Sequence, residues 1–160
     1  MFVARAGLEV FGDEARLKWA IGHLIDNAIK YTLPGGEIVV RCGHLRDGRA
    51  ALEVSDTGVG IQPKDLPHVF ERFYRGEART PDGRLIDPRG LGQGLYVAKS
   101  VVEAHEGYIT VASRAGAGTT FTVALPVAET PTEDTLPHQR GGGAAGRPGG
   151  LDGAARLRAV

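Results

Sequence analysis

Apolar residues first recur at helical spacing. Leu17, Ile21, Leu24 and Ala28 fall three or four apart, which predicts an amphipathic helix over Glu14–Tyr31. Asp13 stands where an N-cap is wanted, and Leu33-Pro-Gly-Gly36 ends the pattern. The apolar residues then come in short runs. Ile38–Cys42 and Ala50–Ser55 are predicted strands joined by a turn at Asp47-Gly48. A second helix is expected from Gly94 to His105, with Leu95, Ala98 and Val102 on its apolar face. Two more strands follow, Tyr108–Ser113 and Thr119–Leu125, across a glycine-rich turn. Between the halves, residues 62–92 carry Pro63, Pro67, Pro81 and Pro88 and five arginines. Apart from a short helix near Asp65–Phe70, this stretch is expected to be a long loop, and loops of that length are usually functional or mobile. Few helices and strands in hairpins predict an α+β fold, a two-layer sandwich, rather than a doubly wound parallel sheet.

From Ala128 onward the pattern fades. The last 33 residues hold seven glycines and three prolines, with Leu136, Leu151, Leu157 and Val160 as the sizeable apolar residues. Such a segment buries too little surface to offset its chain entropy, so 128–160 is expected to be a disordered tail after a domain at 1–127. Lys+Arg and Asp+Glu balance at 19 each in the 160 residues, so no overall field points to nucleic acid or an anionic membrane. No apolar run approaches the ~20 residues of a membrane-spanning helix, and no signal peptide is evident. The single cysteine, Cys42, sits in an apolar alternation and is expected to be a small buried side chain. Together these predict a cytoplasmic domain.

Four polar and glycine clusters carry the candidate chemistry. On the first helix, His23, Asn27, Lys30 and Tyr31 lie at i, i+4, i+7 and i+8 and share one stripe. Alone, that stripe could be a solvated face. With a nucleotide, Asn27 offers an amide oxygen to Mg²⁺, and Lys30 can reach phosphate. Asp56-Thr-Gly-Val-Gly-Ile61 follows a strand; Asp56 can accept from an exocyclic amine and so select adenine over guanine, while Gly58 and Gly60 allow unusual backbone angles. An Asp-Gly turn is the plainer reading. Gly90-Leu-Gly-Gln-Gly-Leu95 opens the second helix, where free N–H groups and the helix dipole attract an anion. It fits neither the Walker pattern nor a dinucleotide fingerprint. Gly116-Ala-Gly-Thr-Thr-Phe121 is a hairpin turn whose Thr119 and Thr120 hydroxyls can support Asp56, directly or through water. In Phe70-Glu-Arg-Phe-Tyr-Arg75 the aromatics can anchor the loop on the core, while Arg72 and Arg75 swing toward phosphates or simply solvate it.

With these residues in place, roughly Phe11 to Pro126 resembles the ATP-binding domain of bacterial sensor histidine kinases, in the superfamily shared with DNA gyrase, Hsp90 and MutL. His23–Asn27 with Lys30-Tyr31-Thr32 is similar to the N box, Asp56–Gly60 to the G1 box and Phe70–Tyr74 to the F box. Gly90–Gly94 is similar to the G2 box, and Gly116–Phe121 to the final glycine-threonine motif. The resemblance implies a mixed, mostly antiparallel sheet with helices on one face, and ATP held under a long lid. It implies Mg²⁺ at Asn27, and phosphate contacts from Lys30, Arg72 or Arg75 and the amides of Gly90, Gly92, Gln93, Gly94 and Leu95. Adenine would be read by Asp56, with Tyr31 and Ile61 packing nearby. The implied reaction moves the γ-phosphoryl of Mg·ATP to a histidine nitrogen, mainly by positioning and charge neutralisation.

The chain departs from that pattern in places. The N box opens with His23 where the kinases usually have Asn and the ATPases Glu; His23 can act as a catalytic base or only hydrogen-bond. Leu91 and Gln93 stand where Ser/Thr and Leu are commoner. None of His23, His44, His68, His105 or His138 sits in the His-Glu-x-x-Thr/Arg-Pro context of a phosphoacceptor, and the family's opening strand would lie mostly upstream of Phe2. The expectation is therefore a catalytic module acting on a helical phosphoacceptor-histidine domain in a longer chain or in trans, with a response regulator further along. It is not expected to autophosphorylate alone. The alternative is an ATP-dependent switch or an anti-sigma-type serine kinase module.

Overall fold

The computed structural model describes residues 8–86, 91–127 and 153–158. Helix α1 spans Glu14–Tyr31, as the apolar spacing predicts. The Asp13 carboxylate caps it by accepting from the Arg16 N–H at 3.0 Å, and Glu14 and Lys30 complement the helix dipole at its two ends. Thr32 closes the last turn, its hydroxyl donating to the Ala28 carbonyl at 2.6 Å. Strands β1 (Glu37–His44) and β2 (Ala50–Asp56) form a hairpin. Helix α2 (Gly94–Ala104) precedes β3 (Tyr108–Arg114) and β4 (Gly118–Leu125), also a hairpin.

The sheet order is β3-β4-β2-β1-β5, where β5 is Gly153–Arg158, and every described pairing is antiparallel. The composition of the tail predicts no structure from Ala128 onward, yet Gly153–Arg158 pairs along β1 from Glu37 to Cys42. The physical reason is the edge itself. A terminal strand presents unpaired N–H and C=O groups that a short extended segment can satisfy without a core of its own. Residues 128–152 and 159–160, the remainder of that expectation, lie outside the described residues, as does the position expected for an opening strand before Phe2.

The two helices pack on each other and on one sheet face, forming the second layer. Cross-strand register sorts that face into rows. Ile109, Val123, Leu52 and Cys42 align, as do Val111, Phe121, Val54 and Val40. With Leu17, Ala20, Leu24 and Ala28 of α1 and Ala98 and Val102 of α2, most of these make the core. The next row is different: Ser113, Thr119, Asp56 and Ile38. The sheet thus turns polar at one end, in the layer between sheet and helices.

His105 ties the two helices together. Its Nε2 accepts from the Asp13 N–H at 3.0 Å while Nδ1 faces the Val101 carbonyl at 2.7 Å. A carbonyl can only accept, so the ring holds its proton on Nδ1 and is neutral in this arrangement.

Candidate functional site

A cavity of about 400 Å³ opens where that polar row meets α1, the start of α2 and the long loop. Asp56 forms its floor. Its Oδ1 accepts from the Gly58 N–H at 2.8 Å and the Thr119 N–H at 3.3 Å, leaving Oδ2 without a hydrogen bond among the described residues. Burial pushes the carboxyl above its ordinary value, and the two N–H bonds only partly counter this.

The two loops beside Asp56 owe their shape to glycine. Gly60 (φ +67) and Gly118 (φ +109) adopt left-handed angles, and a Cβ would run into the Arg114 carbonyl at the first and the Asp56 carbonyl at the second. Their smallness serves close approach of chain to chain, which draws β4 against Asp56. The Val59 N–H donates to the Tyr31 carbonyl at 3.0 Å, fastening the same loop under the end of α1.

Helix α1 sends His23, Asn27, Lys30 and Tyr31 to the cavity wall, as their stripe predicts. Asp26 joins them. Burial raises the Tyr31 phenol above its ordinary value, with Arg75 pulling the other way. His23 lies edge-on to Trp19, centroids 4.6 Å apart, and against Gly94 at the first turn of α2. That turn has no side-chain cap, since Gln93 makes no capping bond, so its leading N–H groups are without a side-chain partner. Gly92, Gln93, Gly94 and Leu95 all line the cavity; Gly90 lies outside the described residues.

The long loop closes the other side. Phe70 packs against the core and meets Phe121 edge-on at 6.2 Å. The short helix expected near Asp65–Phe70 is a single 3-10 turn, Leu66–His68. The Tyr74 hydroxyl donates to Asp65 at 2.8 Å, and the Phe73 N–H donates to the Gly92 carbonyl at 3.0 Å. The first bond lifts the Tyr74 phenol above its ordinary value. Further out the loop folds on itself, with the Thr80 N–H on the Arg84 carbonyl and the Ile86 N–H on Ala78.

The structure therefore brings together His23, Asn27, Lys30, Tyr31, Asp56, Gly60, Ile61, Arg75 and Thr119 with the 92–95 segment. Three expected residues stand apart from the cavity wall. Gly58 supports Asp56 from behind through its N–H. Arg72 stacks over the Phe73 ring at 4.8 Å on the loop surface. Thr120 points to the opposite sheet face and bonds Ser55 at 2.9 Å, because strand residues alternate sides. Sequence reasoning missed Asp26, Asp65 and Ser113. Asp26 shares its stripe with Lys30 at i, i+4. Asp65 and Ser113 carry no local signal: the Tyr74 hydroxyl that bonds Asp65 is nine residues away, and Ser113 meets Gly118 and Thr119 only across the β3–β4 turn and Ile61 only across the fold.

Residues 12–129 match the family model described as histidine kinase-, DNA gyrase B-, and HSP90-like ATPase. Sensor protein SrrB of Staphylococcus aureus (strain NCTC 8325 / PS 47) is 41% identical over 117 residues, which are 73% of this chain and 19% of that protein. The mycobacterial sensor histidine kinase MprB superposes with a TM-score of 0.65 at 34% identity, covering 74% of this chain and 76% of that one. Full-length ShkA in complex with AMPPNP superposes at 0.60 with 28% identity, over 74% of this chain and 23% of that one. The two-layer fold and its lidded cavity thus define an ATP-binding module of the sensor kinase type. The chain belongs to the family of histidine kinase-, DNA gyrase B- and HSP90-like ATPases. It spans about a fifth of the length of the curated relatives it matches.

Proposed function

We propose that this module binds Mg·ATP and transfers the γ-phosphoryl group to a histidine on a separate helical domain, within a two-component phosphorelay that ends on a response regulator. The carrying observation is Asp56, a half-buried carboxylate with one oxygen held by two backbone N–H groups and the other uncommitted in the cavity. That arrangement suits an exocyclic amine. Tyr31 and Ile61 flank the base, and Lys30, Arg75 and the leading amides of α2 take the phosphates. Arg72, on the loop surface, reaches phosphate only if the lid moves.

Asn27 fits a Mg²⁺ site of the kind that relies on phosphate oxygens and few protein ligands. Among the described residues no group of three or more His, Cys, Asp or Glu side chains could hold a metal unaided. Bound there, Mg²⁺ would neutralise phosphate charge. His23, at the phosphate end against α2, is the base candidate and otherwise a hydrogen-bonding wall residue. No helix among the described residues is long and apolar enough to cross a membrane, and we place the module in the cytoplasm.

The aromatic segment folded onto the core through Phe70 favours this reading over an anti-sigma-type serine kinase or a non-catalytic switch. Calorimetry of the purified chain should detect Mg·ATP binding. Radiolabelled ATP should leave no acid-labile phosphate on the chain alone, yet label an added helical hairpin bearing His-Glu-x-x-Thr/Arg-Pro. Failure to bind ATP sinks the proposal, and acid-stable labelling of a serine would favour the alternative.

A further inference from the structure

Ser113 sits in the polar row of the sheet, one strand beyond Thr119 and two beyond Asp56. Its hydroxyl has three neighbours: the Ile61 N–H at 2.9 Å, the Gly118 carbonyl at 2.8 Å and the Thr119 hydroxyl at 2.9 Å. A serine hydroxyl has one proton to donate and two lone pairs to accept. The Ile61 N–H can only donate, which uses one lone pair. The Gly118 carbonyl can only accept, which takes the proton. One lone pair is left for Thr119, so Thr119 must be the donor in that contact.

The consequence reaches the cavity. Thr119 lines it beside Asp56, and with its proton committed to Ser113 the Thr119 oxygen has only lone pairs to offer. The uncommitted oxygen of Asp56, when ionised, likewise only accepts. We infer that Ser113 is a positioning and specificity-determining residue: by fixing the direction of the Thr119 proton it makes the base-reading wall acceptor-only, so that the wall takes an amine, or a water donating toward it, and rejects a carbonyl. The inference rests on the ATP-binding reading of the cavity and concerns a residue that touches no ligand itself.

Inosine triphosphate is the probe, because it carries a carbonyl oxygen where ATP carries its amine. Titration calorimetry with both nucleotides, in Mg²⁺, gives the discrimination ratio for each variant. The parent should prefer ATP. Ser113→Ala frees the Thr119 proton to donate toward a carbonyl, and the ratio should fall tenfold or more, chiefly through tighter inosine nucleotide binding. Ser113→Thr keeps a hydroxyl and should keep the parent ratio. Should Ser113→Ala fail to fold by circular dichroism, Ser113→Cys, near in size but a much weaker hydrogen-bonding group, should show the same fall. A merely structural role would weaken both nucleotides alike and leave the ratio unchanged, which overturns the inference while ATP binding stands. A parent that binds ATP without preferring it overturns the inference in the same way. A parent that binds neither nucleotide overturns both readings.

Discussion

At Asp56, the role proposed in binding adenine and the stability of the fold pull in opposite directions, because the carboxyl is half-buried. Burial makes the carboxyl harder to ionise in the fold than in the unfolded chain, whose ordinary value is near 3.8. Its ionisation therefore costs the fold nothing below that value. The cost grows as pH rises through the raised folded value and persists at neutrality. Asp56→Asn removes the charge but keeps an oxygen for the Gly58 and Thr119 N–H groups. Thermal melts should find the variant as stable as the parent or more so at pH 7, with the advantage shrinking toward pH 4. Nucleotide binding should move oppositely. Losing the charged acceptor should cost about 1–3 kcal/mol, roughly 5- to 150-fold in affinity. The affinity of the parent should begin to fall, as pH is lowered, before pH 3.8 is reached. An Asp56→Asn variant that binds ATP like the parent would refute the adenine assignment.

Among the elements, the lid depends on a few fixed points rather than on a core of its own. Phe70 is seated against Phe121, the Phe73 N–H is tied to Gly92, and Tyr74 is bonded to Asp65, which is buried. Removing the Tyr74 hydroxyl leaves that carboxylate without its partner. Tyr74→Phe should lower stability by about 1–3 kcal/mol, read by chemical denaturation. It should also speed amide exchange across residues 66–78 while leaving that of α1 and β4 unaltered. Uniformly faster exchange would mean that the bond supports the whole domain rather than the lid. Because Gly92 lines the cavity just before α2, the Phe73–Gly92 bond also couples lid position to the segment proposed to hold phosphate.

For the molecule as a whole, the informative feature is the β1 edge. Strand β5 covers it from residues 153–158, beyond the four strands and two helices between Glu14 and Leu125 that supply the buried residues of the core cluster. A chain ending at Val127 should therefore still fold and still bind Mg·ATP. Its β1 amides should exchange faster than those of the full chain, and concentration-dependent association should appear on size-exclusion chromatography as bare edges pair. Equal β1 protection in the two chains would show that Gly153–Arg158 does not guard the edge in solution.

The local pattern determined much of this protein by itself. The spacing of Leu17, Leu24 and Ala28 set α1, Asp13 and the Leu33-Pro-Gly-Gly36 segment set its ends, and alternation set both hairpins, because helix and strand periods are properties of neighbouring residues. The order of the boxes, through the resemblance it carries, pointed to residues most of which line one cavity. Tertiary structure decided the rest, where partners are distant in the chain. Register put Ser113, Thr119 and Asp56 in one row and turned Thr120 to the other face. The pairing of Asp65 with Tyr74 and the seating of His23 on Gly94 likewise exist only once loop and helices meet. A composition too poor in apolar residues to make a core still supplied a strand, because an open sheet edge asks for backbone hydrogen bonds and makes no demand on side chains.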